Sequence, residues 1–315
     1  MVKIDLITGF LGAGKTTFLK MYAKHLMEMG ENICILENDF GAVNVDMMLL
    51  QDIMGDHCEL EMVSGGCDAD CHRRRFKTKL ISMAMCGYDR VLVEPSGIYD
   101  VDEFFDVLRE DPLDQWYEIE NVIAIVDAKL DENMSDEAEF LLASQIANAG
   151  KILLSKVELA TQKDMEHTIN HLNHAMEKFQ CRRRFSDEIL CKEWKEFSED
   201  DFVGISNSGF VSENYVKLWF DERQAFSSLY FMEVQMPEEM FYDTAKKLFE
   251  DASCGKIFRI KGFMKTPQGG WVELNAAKQN ISLRPVEVGQ EVFIVIGEDL
   301  VKERIAAYVE DNGSV

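Results

Sequence analysis

The chain has 315 residues, 47% of them hydrophobic, with 33 Lys and Arg set against 57 Asp and Glu, a formal net charge of −24. That length exceeds one ordinary domain of roughly 100–200 residues, so two domains with sizeable cores are expected. The charge argues against nucleic acid as a partner, since phosphate binding relies on clustered Lys and Arg. The absence of an apolar run near the ~20 residues that span a bilayer argues against a membrane protein, and a soluble, cytoplasmic protein is expected, its first strand standing where a basic leader would be.

The first element is a short apolar strand over 3–8. It runs into Gly9-Phe10-Leu11-Gly12-Ala13-Gly14-Lys15-Thr16-Thr17, which fits the G-x-x-x-x-G-K-[ST] phosphate-binding loop without a mismatch. A helix follows over 16–29, with Phe18, Leu19, Ala23 and Leu26 on one face. In this context Gly9, Gly12 and Gly14 let backbone amides approach phosphates at a helix N-terminus, and Lys15 reaches the outer phosphates. Thr16 is then the magnesium ligand, and the ligand class is a nucleoside triphosphate.

A second strand is expected over 32–37, ahead of Asp39-Phe40-Gly41 and a turn-rich, Met-rich stretch over 44–54 that suits a switch loop. Gly65-Gly66-Cys67-Asp68-Ala69-Asp70-Cys71-His72 then gathers two thiols, two carboxylates and an imidazole. Zinc takes N, S and O ligands and a short loop can offer several together, although C-x3-C is less diagnostic than paired C-x2-C knuckles. A polar loop with reduced thiols is the competing reading, and the other six cysteines are scattered. The basic cluster Arg73-Arg74-Arg75 with Lys77 and Lys79 reads as a solvated helix start or as a contact for a phosphate or an acidic partner.

Strands over 91–94, 121–127 and 151–155 complete a series of short apolar runs separated by helical stretches, the pattern of strands buried on both faces of a parallel sheet. The expected fold is α/β, a doubly wound and mostly parallel P-loop sheet over 1–222, with ligands at the carboxyl ends of the strands. Glu94, ahead of Pro95-Ser96-Gly97, occupies the Walker B position, where it holds magnesium through water or orients the attacking water. Gly97 is placed to donate its amide to the γ-phosphate. Ser155-Lys156-Val157-Glu158 stands where guanine-specific proteins carry [NT]-K-x-D; Glu in place of Asp and Ser in place of Asn or Thr leave ATP as the alternative nucleotide. His167, His171 and His174 recur at i, i+4 and i+7 on a helical stretch, as a second metal site or, more simply, a solvated face.

Residues 180–225 show no clean period and read as closing elements and a linker. After them come a strand over 229–234, a helix from Pro237 to near Gly255, strands over 257–263, 270–274 and 291–296, and a helix over 299–310. This order predicts a smaller α+β domain over 223–315, with helices on one face of an antiparallel sheet.

Six elements in this order and spacing resemble the CobW-type metallochaperone GTPases, of the same P-loop class as the urease and hydrogenase nickel-insertion GTPases. They are 9–17, 37–41 with Val45-Asp46, 66–71, 94–97, Ile125-Val126-Asp127-Ala128 and 155–158. Gly255-Lys256-Ile257-Phe258-Arg259-Ile260-Lys261-Gly262-Phe263 extends the resemblance to the C-terminal domain, where client recognition or homodimer contact is the implied role.

The resemblance implies a Mg2+-dependent GTPase, slow unless stimulated, that binds GTP and GDP. It would deliver zinc or cobalt, or help to insert a metal or corrinoid cofactor into a client metalloenzyme or corrinoid protein. The implied catalytic residues are Lys15, Asp39 and Glu94. The nucleotide-binding residues are Gly9, Gly12, Ala13, Gly14, Lys15, Thr16, Thr17, Gly97, Ser155, Lys156 and Glu158. The metal ligands are Thr16, Asp39, Cys67 and Cys71. The family's G-C-x-C-C becomes Gly66-Cys67-Asp68-Ala69-Asp70-Cys71 here, with one thiol fewer and two carboxylates more. Harder oxygen ligands lower the preference for thiophilic metals, and Cys58 and His72 are candidate replacements. The alternative is a nucleotide-dependent protein chaperone or switch that holds no metal; a small-molecule kinase is more distant.

Overall fold

The computed structural model describes residues 1–39, 49–65, 69–186, 188–220, 225–234, 236–266, 269–278, 280–287 and 289–310. The chain divides into two compact units, Met1–Leu218 and Trp219–Val315.

In the first unit seven strands form one parallel sheet: β1 (Val2–Thr8), β2 (Ile33–Asp39), β3 (Cys58–Ser64), β4 (Arg90–Pro95), β5 (Tyr117–Asp127), β6 (Lys151–Ser155) and β7 (Ile189–Leu190). Their spatial order is β3-β2-β4-β1-β5-β6-β7, so the chain crosses from β4 over β1 to β5. The carboxyl end of β1 therefore lies at the reversal of strand order, the place where open α/β sheets bind ligands. Helices α1 (Lys15–Glu28), α2 (Ala69–Ala84), α3 (Val101–Leu108), α4 (Leu113–Trp116), α5 (Asp136–Ala147), α6 (Gln162–Lys178) and α7 (Glu199–Ser206) connect or follow the strands.

Local chemistry fixes the helix starts. Ser135 accepts the Ala138 N–H to open α5, and capping boxes open α6 (Thr161 with Asp164) and α7 (Ser198 with Asp201). Phe18, Leu19, Tyr22, Ala23 and Leu26 of α1 pack with Ile33, Ile35, Leu92, Ile123 and Ile125 of the sheet. In the middle of β1, Asp5 is fully buried and accepts hydrogen bonds from Arg90 Nη1 (2.7 Å), Tyr22 Oη (2.8 Å) and both Asn121 N and Nδ2 (3.0 Å each). Arg90 also reaches Glu31, and Asn121 Nδ2 reaches Ser206 O. Burial pushes the Asp5 carboxyl above the usual range, against the lowering effect of Arg90, Tyr22 and Asn121.

Two strands of this sheet depart from the sequence reading: β3 and β7 form its two edges, and residues 180–225, read as lacking a period, contain β7 and α7.

The second unit is a five-stranded antiparallel sheet of order β11-β10-β9-β12-β8, built from β8 (Ser227–Met232), β9 (Lys256–Lys265), β10 (Trp271–Ala277), β11 (Asn280–Val286) and β12 (Val292–Glu298). Here β11 is the unforeseen strand, an edge that carries Pro285. Helices α8 (Glu238–Glu250) and α9 (Lys302–Val309) supply Phe241, Ala245, Leu248, Ile305 and Val309 to a core with Ile260, Leu274, Phe293 and Val295. No helix among the described residues is long and apolar enough to cross a membrane.

Candidate nucleotide site

The carboxyl end of β1 turns sharply at Gly9, whose φ is +144°. A Cβ there would meet Ile125 O at 2.2 Å, so the loop lies directly on β5 and only glycine fits. Gly14, at φ +98°, caps α1. Gly12 is also left-handed, and Ala13 N donates to Phe10 O at 3.2 Å to close the loop. Lys15 is buried, and its Nζ folds back on Gly9 O at 3.0 Å. Thr17 faces solvent at the helix start.

Thr16 Oγ1 donates to Glu94 Oε1 at 2.8 Å, with both residues buried. The phosphate-loop hydroxyl and the Walker B carboxylate, 78 residues apart, thus meet beside the loop. A hard, oxygen-seeking cation such as magnesium fits this donor set. Glu37 is also buried and stands in register with Glu94 on the adjacent strand, which places two carboxylates side by side at the carboxyl ends of β2 and β4. Neighbouring buried carboxylates favour a shared cation or proton; the sequence reading passed over Glu37 as a site residue. The turn after Glu94 brings Gly97 against the phosphate loop, where a Cβ would come within 2.6 Å of Leu11 N. Gln145 of α5 holds Gly97 O at 3.0 Å.

On the other side of β1, Ser155 ends β6, buried, with Oγ donating to Val126 O at 3.3 Å. Lys156 adopts a left-handed backbone and its Nζ pairs with Asp127 Oδ2 at 2.6 Å. Glu158 follows on a short exposed 3-10 turn. Trp194 closes this side: a Cβ on Gly14 would meet its ring at 2.9 Å and Ser155 Cβ at 3.7 Å, and the indole crosses Phe18 edge-on. Its Nε1 is buried without a hydrogen-bond partner. Sequence reasoning missed this tryptophan because nothing local links it to a loop 180 residues earlier.

The proposed metal residues are only partly in view. Asp39 ends β2 opposite Ser64, and Cys71 is a half-buried cysteine, in no disulfide, in the first turn of α2. Cys67 lies outside the described residues, as do Phe40, Gly41, Val45, Asp46 and Asp68. Cys58 is not brought to this region: it opens β3 opposite Ile33, buried, at the far end of the strand. Both ring nitrogens of His72 are engaged, with Gly65 O at 3.1 Å and Asn38 Oδ1 at 2.7 Å.

The α6 histidines diverge, His167 toward Glu132 and His171 toward Glu139, while His174 is exposed. Among the described residues no group of three or more His, Cys, Asp or Glu is arranged to hold a metal ion. The basic cluster is turned to internal partners: Arg73 and Lys77 bind Glu110, Lys79 binds Glu61 and Arg75 binds Ser64 O.

Residues 3–185 match the family model described as CobW/HypB/UreG, nucleotide-binding domain. The chain is 32% identical over 181 residues to the zinc chaperone YjiA of Escherichia coli (strain K12), covering 53% of this chain and 52% of that one. It is 30% identical over 164 residues to the zinc chaperone YeiR of the same organism, covering 51% and 48%. The chain thus spans about half the length of the curated relatives it matches. Among solved structures, Zn(II)-bound YjiA GTPase from E. coli aligns with 98% of this chain and 97% of that one, at 22% identity and a TM-score of 0.41. With its phosphate loop, Walker B carboxylate and parallel sheet assembled as above, the chain belongs to the CobW/HypB/UreG family of P-loop GTPases.

Proposed function

We propose that the chain is a magnesium-dependent GTPase whose nucleotide state governs delivery of zinc or cobalt, or insertion of a metal or corrinoid cofactor, to a client enzyme. The observation that carries this reading is the buried contact of Thr16 with Glu94 beside a complete phosphate loop. Bound magnesium would neutralise charge on the outer phosphate oxygens. The amides from Gly9 to Thr17 and Lys15 hold the phosphates, Thr16 offers its hydroxyl to the cation, and Glu94 orients the attacking water. Gly97 contributes an amide at the γ-phosphate, while Ser155, Lys156 and Glu158 face the base. Turnover is slow until a docked client adds charge stabilisation at the transition state.

For the cargo, Cys67 and Cys71 supply soft ligands and Asp39 a carboxylate at the end of β2. The relatives named zinc chaperones support zinc as cargo. The second unit recognises the client or a second copy of the chain.

Reduced, metal-free protein titrated with zinc and with cobalt, first with GDP and then with a non-hydrolysable GTP analogue, tests the proposal beside a Cys67→Ser/Cys71→Ser control. Near-stoichiometric binding that changes with nucleotide and vanishes in the control is expected. Nucleotide binding without specific metal in either state would leave a protein switch in its place.

A further inference from the structure

Helix α5 is buried from Ala138 to Ala147, a setting that suits apolar side chains such as Leu141, Leu142 and Ile146. Gln145 stands in the same stretch and is fully buried. Its Nε2 donates to Gly97 O at 3.0 Å, across 48 residues of sequence, while its Oε1 is buried without a hydrogen-bond partner. Burying an amide with one end unmatched is costly. An unbranched apolar side chain of the same length would fill the space without that cost. What the amide supplies at this position is a donor for Gly97.

Glycine has the widest backbone freedom of any residue, and contacts on every side remove it from Gly97. Ser96 N donates to Asn38 O at 2.8 Å, which ties the residue before it to β2. Tyr99 N donates to Ser96 O at 3.1 Å and closes a turn whose central residues are Gly97 and Ile98. A Cβ on Gly97 would lie 2.6 Å from Leu11 N and 2.8 Å from Leu11 Cα, so its α-carbon stands directly against the phosphate loop. The turn's central peptide begins with the Gly97 carbonyl, and Gln145 fixes that oxygen. Donors that are set in place before charge develops stabilise a transition state without reorganising during the reaction.

We propose that Gln145 is a positioning residue for GTP hydrolysis. By holding the Gly97 carbonyl it keeps the Gly97 N–H in place for the charge that spreads over the γ-phosphoryl oxygens in the transition state. The inference deepens the proposed function and rests on its placing of that amide at the γ-phosphate. A diphosphate lacks the group that the amide serves, so the contribution of Gln145 is confined to the triphosphate and its transition state.

The test compares Gln145→Leu and Gln145→Met with the native chain in two measurements. One is the affinity for Mg·GDP, by titration with a fluorescent GDP derivative; the other is the single-turnover rate of Mg·GTP hydrolysis with protein in excess. In the variants the rate falls by about 10- to 100-fold, the order lost when a reacting group is misplaced, while the affinity for Mg·GDP stays native. The Met variant keeps the length of the side chain without its donor, and it decides the matter should the Leu variant fail to fold. Hydrolysis at the native rate in the Met variant would overturn the positioning role alone. So would equal losses of hydrolysis and of Mg·GDP affinity, because a residue that only packs damages both. A native chain that binds no guanine nucleotide, or hydrolyses no GTP, would overturn the proposed function and this inference with it.

Discussion

At the scale of single residues, the site is specified by what cannot be replaced. Gly9 carries both a positive φ and a backbone oxygen where any Cβ would go, so the sequence there follows from the geometry. Beyond the loop, the turn after Glu94 leads into α3, whose first turn carries Asp102 and Glu103, with Asp100 capping it. Burial pushes Glu103 up to about 7 from an ordinary 4.5; Arg73 opposes this and Asp100 reinforces it. A carboxyl whose pKa is raised by folding favours the folded state below the unfolded value, and that contribution is lost as pH rises through the folded value. Native stability should therefore lose up to about 3 kcal/mol from this group between about pH 5 and about pH 8. Glu103→Gln, which cannot ionise, should flatten the difference. Urea midpoints of both chains at the two pH values provide the measurement, and parallel profiles would refute the assignment.

At the scale of elements, legibility followed locality. The phosphate loop was readable because its needs fall on nine consecutive residues, and β4, β5 and β6 because strands buried on both faces carry unbroken apolar runs. β3 was not, because an edge strand interleaves Glu59 and Glu61 with apolar residues, and these reach Tyr88 and Lys79. Trp194 and the contact of His72 with Asn38 depend on proximity that no local period encodes. The same is true of the pair that joins β1 to β4. Asp5 sits inside a buried strand, and Arg90 opens its neighbour with a side chain only 3% exposed. Removing one partner of a buried ion pair leaves the other uncompensated, at about 3–5 kcal/mol. Arg90→Met should therefore lower unfolding free energy by that order in denaturant melts. Arg90→Met combined with Asp5→Asn should recover part of it, since the amide still offers Asn121 an acceptor. A double variant no more stable than Arg90→Met alone would show that charge is not the source of the loss.

At the scale of the whole molecule, each unit has a hydrophobic cluster of its own, one drawn from α1 and the central strands, the other from α8, α9 and the antiparallel sheet. A unit with its own core is the usual size of a cooperative transition. The phosphate loop, Glu94 and the Ser155-Lys156 turn all belong to Met1–Leu218, so nucleotide should act on that unit's stability. A ligand at 100 times its Kd adds about 2.7 kcal/mol to the state that binds it. Calorimetry of the full chain should then show two transitions. Mg·GDP at that excess raises the one that persists in a chain ending at residue 218 and leaves the other in place. The net charge of −24 sharpens the test. Simple screening of self-repulsion by added salt would stabilise both transitions, whereas occupancy of the phosphate loop moves one. A nucleotide-dependent rise in both transitions at constant ionic strength would mean that unfolding of the second unit is coupled to that of the first.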